Sequence, residues 1–139
     1  MHETQPMPWP DGMPSALDVK MGLELLEVSA DRVVGRMPVE DNTQPMKMWH
    51  GGASCVLAET LASIAANVAV GADRVAYGIE LNATHHLPAR SGWVTGTATA
   101  LRIGGTLLSY QVSLVDDARS QICTARVTCM AARARSSAG

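Results

Sequence analysis

The 139 residues carry 11 Lys and Arg against 13 Asp and Glu, a net charge of −2 with neutral histidines. That balance excludes the basic face a nucleic-acid partner requires, and three Trp, two Tyr and no Phe give no base-stacking platform. A hydrophobic fraction of 47% beside 17% charged residues fits a single globular domain with a substantial core or interface.

Residues 1–14 are rich in Pro and Met and read as an irregular lead-in, with no apolar run of the kind a secretion signal contains. One domain is expected over 15–132. Its first elements are two strands, Met21–Val28 and Arg32–Val39, turning near Ala30–Asp31. A polar loop, Glu40–Trp49, contains Asn42, Gln44 and Pro45. A helix then runs from about Gly52 to Val70 and stops at Gly71, a plausible glycine cap. Strands follow over Arg74–Leu87, Gly92–Arg102, Thr106–Val115 and Ser120–Ala131, separated by Pro88–Gly92, Gly104-Gly105 and Asp116-Asp117. The tail, 133–139, is small and basic. The short links favour antiparallel neighbours. The expected fold class is therefore α+β, a curved antiparallel sheet of five or six strands wrapped around one long helix. Leu57, Leu61, Ile64 and Val68 form the main apolar stripe of that helix.

Cys55, Cys123 and Cys129 are odd in number and lie in apolar surroundings. They read as buried free thiols in a reducing compartment, so a cytoplasmic protein is expected. The helix is long enough to raise a membrane question, but its Ala, Ser, Gly and Asn content and its central glutamate argue against a span. His85-His86 invites a metal reading. Neighbouring strand residues point to opposite faces, however, and no Cys or carboxylate cluster completes a set, so no metal and no cofactor are expected.

The chemistry concentrates where the loop meets the helix. Between Met48 and Ala72, Glu59 is the only Asp, Glu, Lys or Arg. No cation stands three or four residues away to neutralise it, and a carboxylate is costly to bury alone. Glu59 is either a solvent-facing helix residue or a nucleophile or base. Gly51 sits where the helix starts, with its N–H free and the helix dipole behind it, able to stabilise an oxyanion. Gly51 and Gly52 serve equally to make a sharp turn. His50 can donate to a substrate oxygen or hold the loop. Ser63, one turn beyond Glu59, can bond the carboxylate or its own backbone. Gln44 offers both donors and an acceptor. Met46, Trp49 and Ile64 suit an apolar pocket or a core. Arg90, Arg102, His85 and the Gly104-Gly105-Thr106 turn are the groups available to hold phosphates.

The pattern Gln44-Pro45-Met46-x-x-x-His50-Gly51-Gly52, then Glu59 and Ser63, resembles the active-site segment of hotdog-fold acyl-CoA thioesterases. The branch it resembles contains the Glu-type 4-hydroxybenzoyl-CoA and the 1,4-dihydroxy-2-naphthoyl-CoA thioesterases. Gly78-Ile79-Glu80-Leu81-Asn82-Ala83-Thr84-His85 and Cys123-Thr124-Ala125-Arg126-Val127-Thr128 are similar to the same branch, and the likeness spans about Gly22 to Ala131. The resemblance implies a homodimer with continuous sheets, usually paired into a tetramer, and an acyl-CoA substrate with an aromatic acyl group. It implies Glu59 as nucleophile or base, the Gly51 backbone as oxyanion donor, Gln44 reaching the adjacent subunit's site, and Gly78 beside the substrate. Leu87 stands where the naphthoyl-CoA enzyme carries an arginine, and Gly105-Thr106 replaces a more basic turn, so phosphate contacts are expected to differ. Three rivals have distinguishing marks. A hotdog dehydratase has its acid on a helix after the His-x-Pro turn, whereas here Glu59 precedes His86-Leu87-Pro88. A phenylacetyl-CoA-type thioesterase has Asp in place of Glu59. A non-catalytic acyl-CoA-binding protein lacks the acid.

Overall fold

Val, Leu and Thr alternate with small residues through the second half of the chain. The computed structural model, which describes residues 6–9 and 11–134, turns that alternation into strands. In chain order the elements are α1 (Ala16–Met21), β1 (Glu24–Val28), β2 (Arg32–Pro38), α2 (Gly51–Val70), β3 (Arg74–His85), β4 (Trp93–Ile103), β5 (Leu107–Val115) and β6 (Gln121–Arg133). The strands form one antiparallel sheet in the order β1-β2-β4-β5-β6-β3. On β5, Leu108, Tyr110, Val112 and Leu114 are fully buried, and Ser109, Gln111 and Ser113 between them face the other way. Cys123, Ala125, Val127 and Cys129 continue the buried face on β6. α2 lies on that face and packs against β2 through β6.

By length and hydropathy alone α2 could cross a membrane. Here the sheet wraps it instead. Leu57, Leu61 and Ile64 are fully buried as the stripe predicts, but Val68 is partly exposed, and Ala58, Ala62, Ala65 and Ala66 are buried as well. The helix is thus embedded by small residues on several sides and does not rest on one stripe.

Two interactions fix its position. Gly35 and Gly96 are directly paired on β2 and β4, and both face inward. A β-carbon on Gly35 would lie 2.8 Å from Leu61 Cδ2, and one on Gly96 would lie 2.7 Å from Leu61 Cδ1. The paired glycines therefore make a notch that seats the Leu61 side chain. At the far end, buried Asn67 clasps β3: its Nδ2 donates to Ser63 O at 2.8 Å and to Ala76 O at 3.0 Å, and its Oδ1 accepts from Ala76 N at 3.0 Å.

The structure corrects the expected N-terminal elements. The first strand begins at Glu24, not Met21, because Ala16–Met21 form a helix. Ser15 caps it by accepting from Asp18 N, and Gly22 closes it at φ 77°. Asp18 is buried and accepts from Thr60 Oγ1 at 2.9 Å, tying α1 to α2. Burial raises its carboxyl above the ordinary range, although the Thr60 and Ser15 hydroxyls oppose that shift. Ahead of α1, Met7 N–H donates to Gly12 O and Trp9 Nε1 to Met13 O. β3 stops at His85 before the predicted Leu87, while β4 and β6 run on to Ile103 and Arg133. Residues 1–5 of the expected lead-in and 135–139 of the expected tail lie outside the described residues.

The notch makes a direct prediction. Gly96→Ala should drive a methyl into the seated Leu61 and cost about 1–3 kcal/mol, the usual range for overpacking. Urea denaturation should show a lower midpoint at unchanged slope. An unchanged midpoint would mean that Leu61 moves aside freely.

Candidate active site

The start of α2 is organised around one peptide unit. His50, in extended conformation, is the N-cap, and its Nδ1 accepts from Gly52 N at 2.7 Å. The proton of the neutral ring is therefore on Nε2. His50 O accepts from Ala53 N at 2.9 Å and from Ser54 N at 3.3 Å. Among the described residues, Gly51 N–H is left without an acceptor. It points from the positive end of a 20-residue helix. Of the two roles open to His50, the structure shows the loop-holding one.

The other components lie along a trench between α2 and β3. Gly51, Cys55, Glu59 and Ser63 recur every four residues and share one helix face. β3 runs back along that face. It touches the helix at three levels: Ala76 on Asn67, Gly78 on Glu59, and His85 on Gly51. A β-carbon on Gly78 would lie 2.9 Å from Glu59 Oε1 and 3.2 Å from its Cδ, so the bare glycine makes room for the carboxylate. A bulge between Gly78 and Glu80 shifts the strand register there. Glu59 is solvent-exposed in the single chain. The two ion pairs among the described residues, Arg32–Glu27 and Arg36–Glu24, do not involve it. The His85 ring packs on Gly51, with Nε2 3.0 Å from where a β-carbon would stand.

Ser63 is not joined to Glu59. Its hydroxyl lies beside the Cys129 thiol, and its carbonyl accepts from Asn67. Burial pushes Cys129 up to about 11; the Ser63 hydroxyl draws it down and the Glu59 charge adds to the rise. Burial likewise raises the Cys123 thiol. Both are neutral thiols at neutral pH and poor nucleophiles. Cys55, expected to be buried, is half-buried on the trench face.

This geometry has known relatives. Residues 46–123 match the thioesterase superfamily. A Vibrio cholerae protein named as an esterase is 44% identical over 110 residues, 78% of this chain and 73% of its own. The 1,4-dihydroxy-2-naphthoyl-CoA hydrolase of Listeria monocytogenes is 34% identical over 113 residues, 81% of this chain and 92% of its own. The chain belongs to the thioesterase superfamily. Its fold is the hotdog fold: the crystal structure of a Haemophilus influenzae thioesterase superposes with a TM-score of 0.83 at 28% identity, covering 88% of this chain and 87% of that one. The protein is a thioester hydrolase.

As a thioesterase, it has the remaining predicted residues in four places. Gln44 and Met46 lie on the loop before α2, where Gln44 Oε1 accepts from Met46 N at 2.6 Å and Met46 is largely exposed. Trp49 and Ile64, expected as pocket walls, are buried in the core. Arg102 and Thr106 line an open cleft of about 470 Å³ at the β4–β5 turn, together with Ser109 and Thr128. Arg90 lines a separate cleft of about 350 Å³ beside Asp116 and Asp117. Adjacent His85 and His86 do face apart: His85 meets Gly51, and His86 Nε2 lies 2.9 Å from Thr124 Oγ1. The residues missed in the sequence are the buried polar ones that hold the loop and β3 in place, Asn42, Ser54 and Asn67. For Ser54 and Asn67 the one signal was a polar side chain inside an otherwise apolar run; Asn42, in a polar loop, gave none.

The contact at Gly78 can be tested. Gly78→Ala should leave the fold intact, because the displaced atoms are the free end of Glu59. It should nevertheless lower kcat for thioester hydrolysis at least about tenfold, since small misplacements of a reacting group are costly. Turnover at the wild-type rate in the folded variant would refute the placement.

Proposed function

We propose that the protein hydrolyses an acyl-CoA thioester with an aromatic or hydroxyaryl acyl group, releasing the free acid and CoA. The observation that carries this is the unpaired Gly51 N–H on the same helix face as the lone carboxylate of Glu59, which rests on Gly78. The carbonyl oxygen takes the Gly51 N–H. Glu59 attacks the carbonyl carbon, or removes a proton from the water that does, and the negative charge that develops on oxygen is held by the helix terminus. The C–S bond then breaks and CoA leaves as a thiolate. A thiol of pKa about 8.5 leaves without a strong acid. With Glu59 as base, water supplies hydroxide to the acid and a proton to the thiolate. With Glu59 as nucleophile, water hydrolyses the resulting anhydride.

Helix geometry supports reading this as a site shared between copies. Gly51 and Glu59 are eight residues apart, about 12 Å along the axis. A glutamate side chain spans less than half of that, so the two groups of one chain do not meet at one carbonyl. A two-fold axis level with Cys55 brings Gly51 of one copy to Glu59 of the other, twice. β3 suits such a pairing: it is a sheet edge, with Tyr77 and Ile79 each more than half exposed. The reading is a cytoplasmic homodimer, paired into a tetramer, that uses no cofactor. Gln44 lies on the same loop as Gly51 and serves the partner's Glu59. CoA phosphates are assigned to the Arg102 and Thr106 cleft, with His85 and Arg90 as further contacts.

Free-thiol release should be measured across benzoyl-, hydroxybenzoyl-, hydroxynaphthoyl-, phenylacetyl- and fatty acyl-CoA. Fast release is expected from a hydroxyaryl member, and Glu59→Gln should lower it by orders of magnitude. Rapid turnover confined to fatty acyl-CoA would overturn the acyl assignment, and an active Glu59→Gln would overturn the site.

The shared site has its own test. Gln44→Ala and Glu59→Ala chains, each inactive alone, should regain part of the activity when co-assembled, because one site then holds both native residues. Mixtures as inactive as their parents would refute it.

A further inference from the structure

We infer that Trp49 is a positioning residue for the hydrolysis, and that its indole braces the peptide whose N–H receives the oxyanion. The inference rests on the assignment of Gly51 N–H above.

A peptide unit is planar, so the direction of His50 C=O fixes that of Gly51 N–H on the opposite side. The hydrogen bonds around that unit come from both directions along the chain. Behind it, His50 N donates to Asn42 O at 3.0 Å, and Trp49 N donates to Ala89 O at 2.8 Å. Ahead of it, Ser54 N reaches back to His50 O at 3.3 Å. Besides the His50 cap on Gly52 N–H, a buried side-chain bond joins the two sides: Trp49 Nε1 donates to Ser54 Oγ at 2.6 Å, in a site where Ser54 is fully buried and Trp49 is 6% exposed. The residue before the capping histidine is thus tied directly to the first turn of α2. The loop cannot rotate about the His50–Gly51 peptide without breaking a buried hydrogen bond. Ser54 also lies beside the Cys123 thiol. Cys123 is paired across β3–β6 with His85, whose ring packs on Gly51. The brace and the strand wall of the site therefore meet at Ser54.

The indole is buried at this point with its N–H turned towards the helix. A core role alone would be met by any large apolar ring, whereas the short bond to Ser54 requires the indole nitrogen.

The test is a double-mutant cycle read by thiol release, with Trp49→Phe, Ser54→Ala and the pair. Trp49→Phe keeps an aromatic ring and removes the donor. Each single change should lower kcat about tenfold with KM altered less than twofold, because the Gly51 N–H acts on charge that develops only in the transition state. The double variant should be no slower than the slower single. A loss of packing alone would instead appear as a lower Tm with kcat preserved in the folded fraction. Wild-type kcat in folded Trp49→Phe overturns the inference, as do losses that multiply in the double variant. If Ser54→Ala does not fold, the kcat and KM of Trp49→Phe decide. Glu59→Gln in the same assay separates the two levels: an inactive Glu59→Gln beside an unimpaired Trp49→Phe removes this inference only, whereas an active Glu59→Gln removes the site and the inference together.

Discussion

The depth at which α2 lies against the sheet sets everything else, and that depth is set by one leucine over two glycines. Leu61 places its two methyls over Gly35 and Gly96, which face each other on neighbouring strands. Any side chain at either glycine would push the helix outward. Leu61 is two residues from Glu59 and two from Ser63, so a shift there is passed to both. The small residues around it, Ala58, Ala62, Ala65 and Ala66, are the counterpart on the helix. A helix buried on several sides has little room for charge, which is why the one carboxylate on α2 stands out.

The close approach also creates the hydrogen-bonding problem that the site exploits. A helix that starts against a sheet must place its first amides somewhere. His50 and its carbonyl take those of Gly52, Ala53 and Ser54, and Gly51 is left over. The leftover donor sits at the positive end of the dipole, next to the His85 ring. The carboxylate sits two turns further on, over a glycine that yields space to it. Neither feature is a catalytic group in isolation. Helix rise puts about 12 Å between them, the separation that the proposed second copy would close. The exposure of Glu59 in one chain is compatible with that proposal.

Much of this was legible in the sequence because local and global signals agree. The alternation is strict in β5 and holds over much of β4 and β6, the helix runs uninterrupted from Gly51 to Val70, and Gly71 stops it. The lone Glu59 and the His-Gly-Gly turn need no structure to be noticed. What escaped did so for physical reasons. α1 is six residues, too short for periodicity, and only its Ser15–Asp18 cap and Gly22 announce it. Trp49 and Ile64 were ambiguous because composition does not tell a pocket wall from a core. The Ser63–Cys129 contact and the Gly78–Glu59 contact depend on strand register, including a bulge at Gly78, and a one-residue slip would reverse both.

The phosphate end of the substrate is where this chain departs from the relatives it resembles. Leu87 is more than half exposed just past the end of β3, and it offers no charge where an arginine was expected. The cations that remain lie at opposite loops, Arg102 at the β4–β5 turn and Arg90 before β4. The first has three hydroxyls beside it, from Thr106, Ser109 and Thr128, whereas the second has one, from Ser91, and two carboxylates, Asp116 and Asp117, that repel a phosphate. A phosphate needs several donors converging on one point more than it needs a single strong charge. That convergence favours the β4–β5 turn, and it ties nucleotide recognition to the outward face of the sheet, with the hydrolytic trench on the inward face at β3. A CoA molecule bridging the two would pass around a sheet edge, and the edge next to the α2–β3 seam is β3, the strand to which the proposed second copy is assigned.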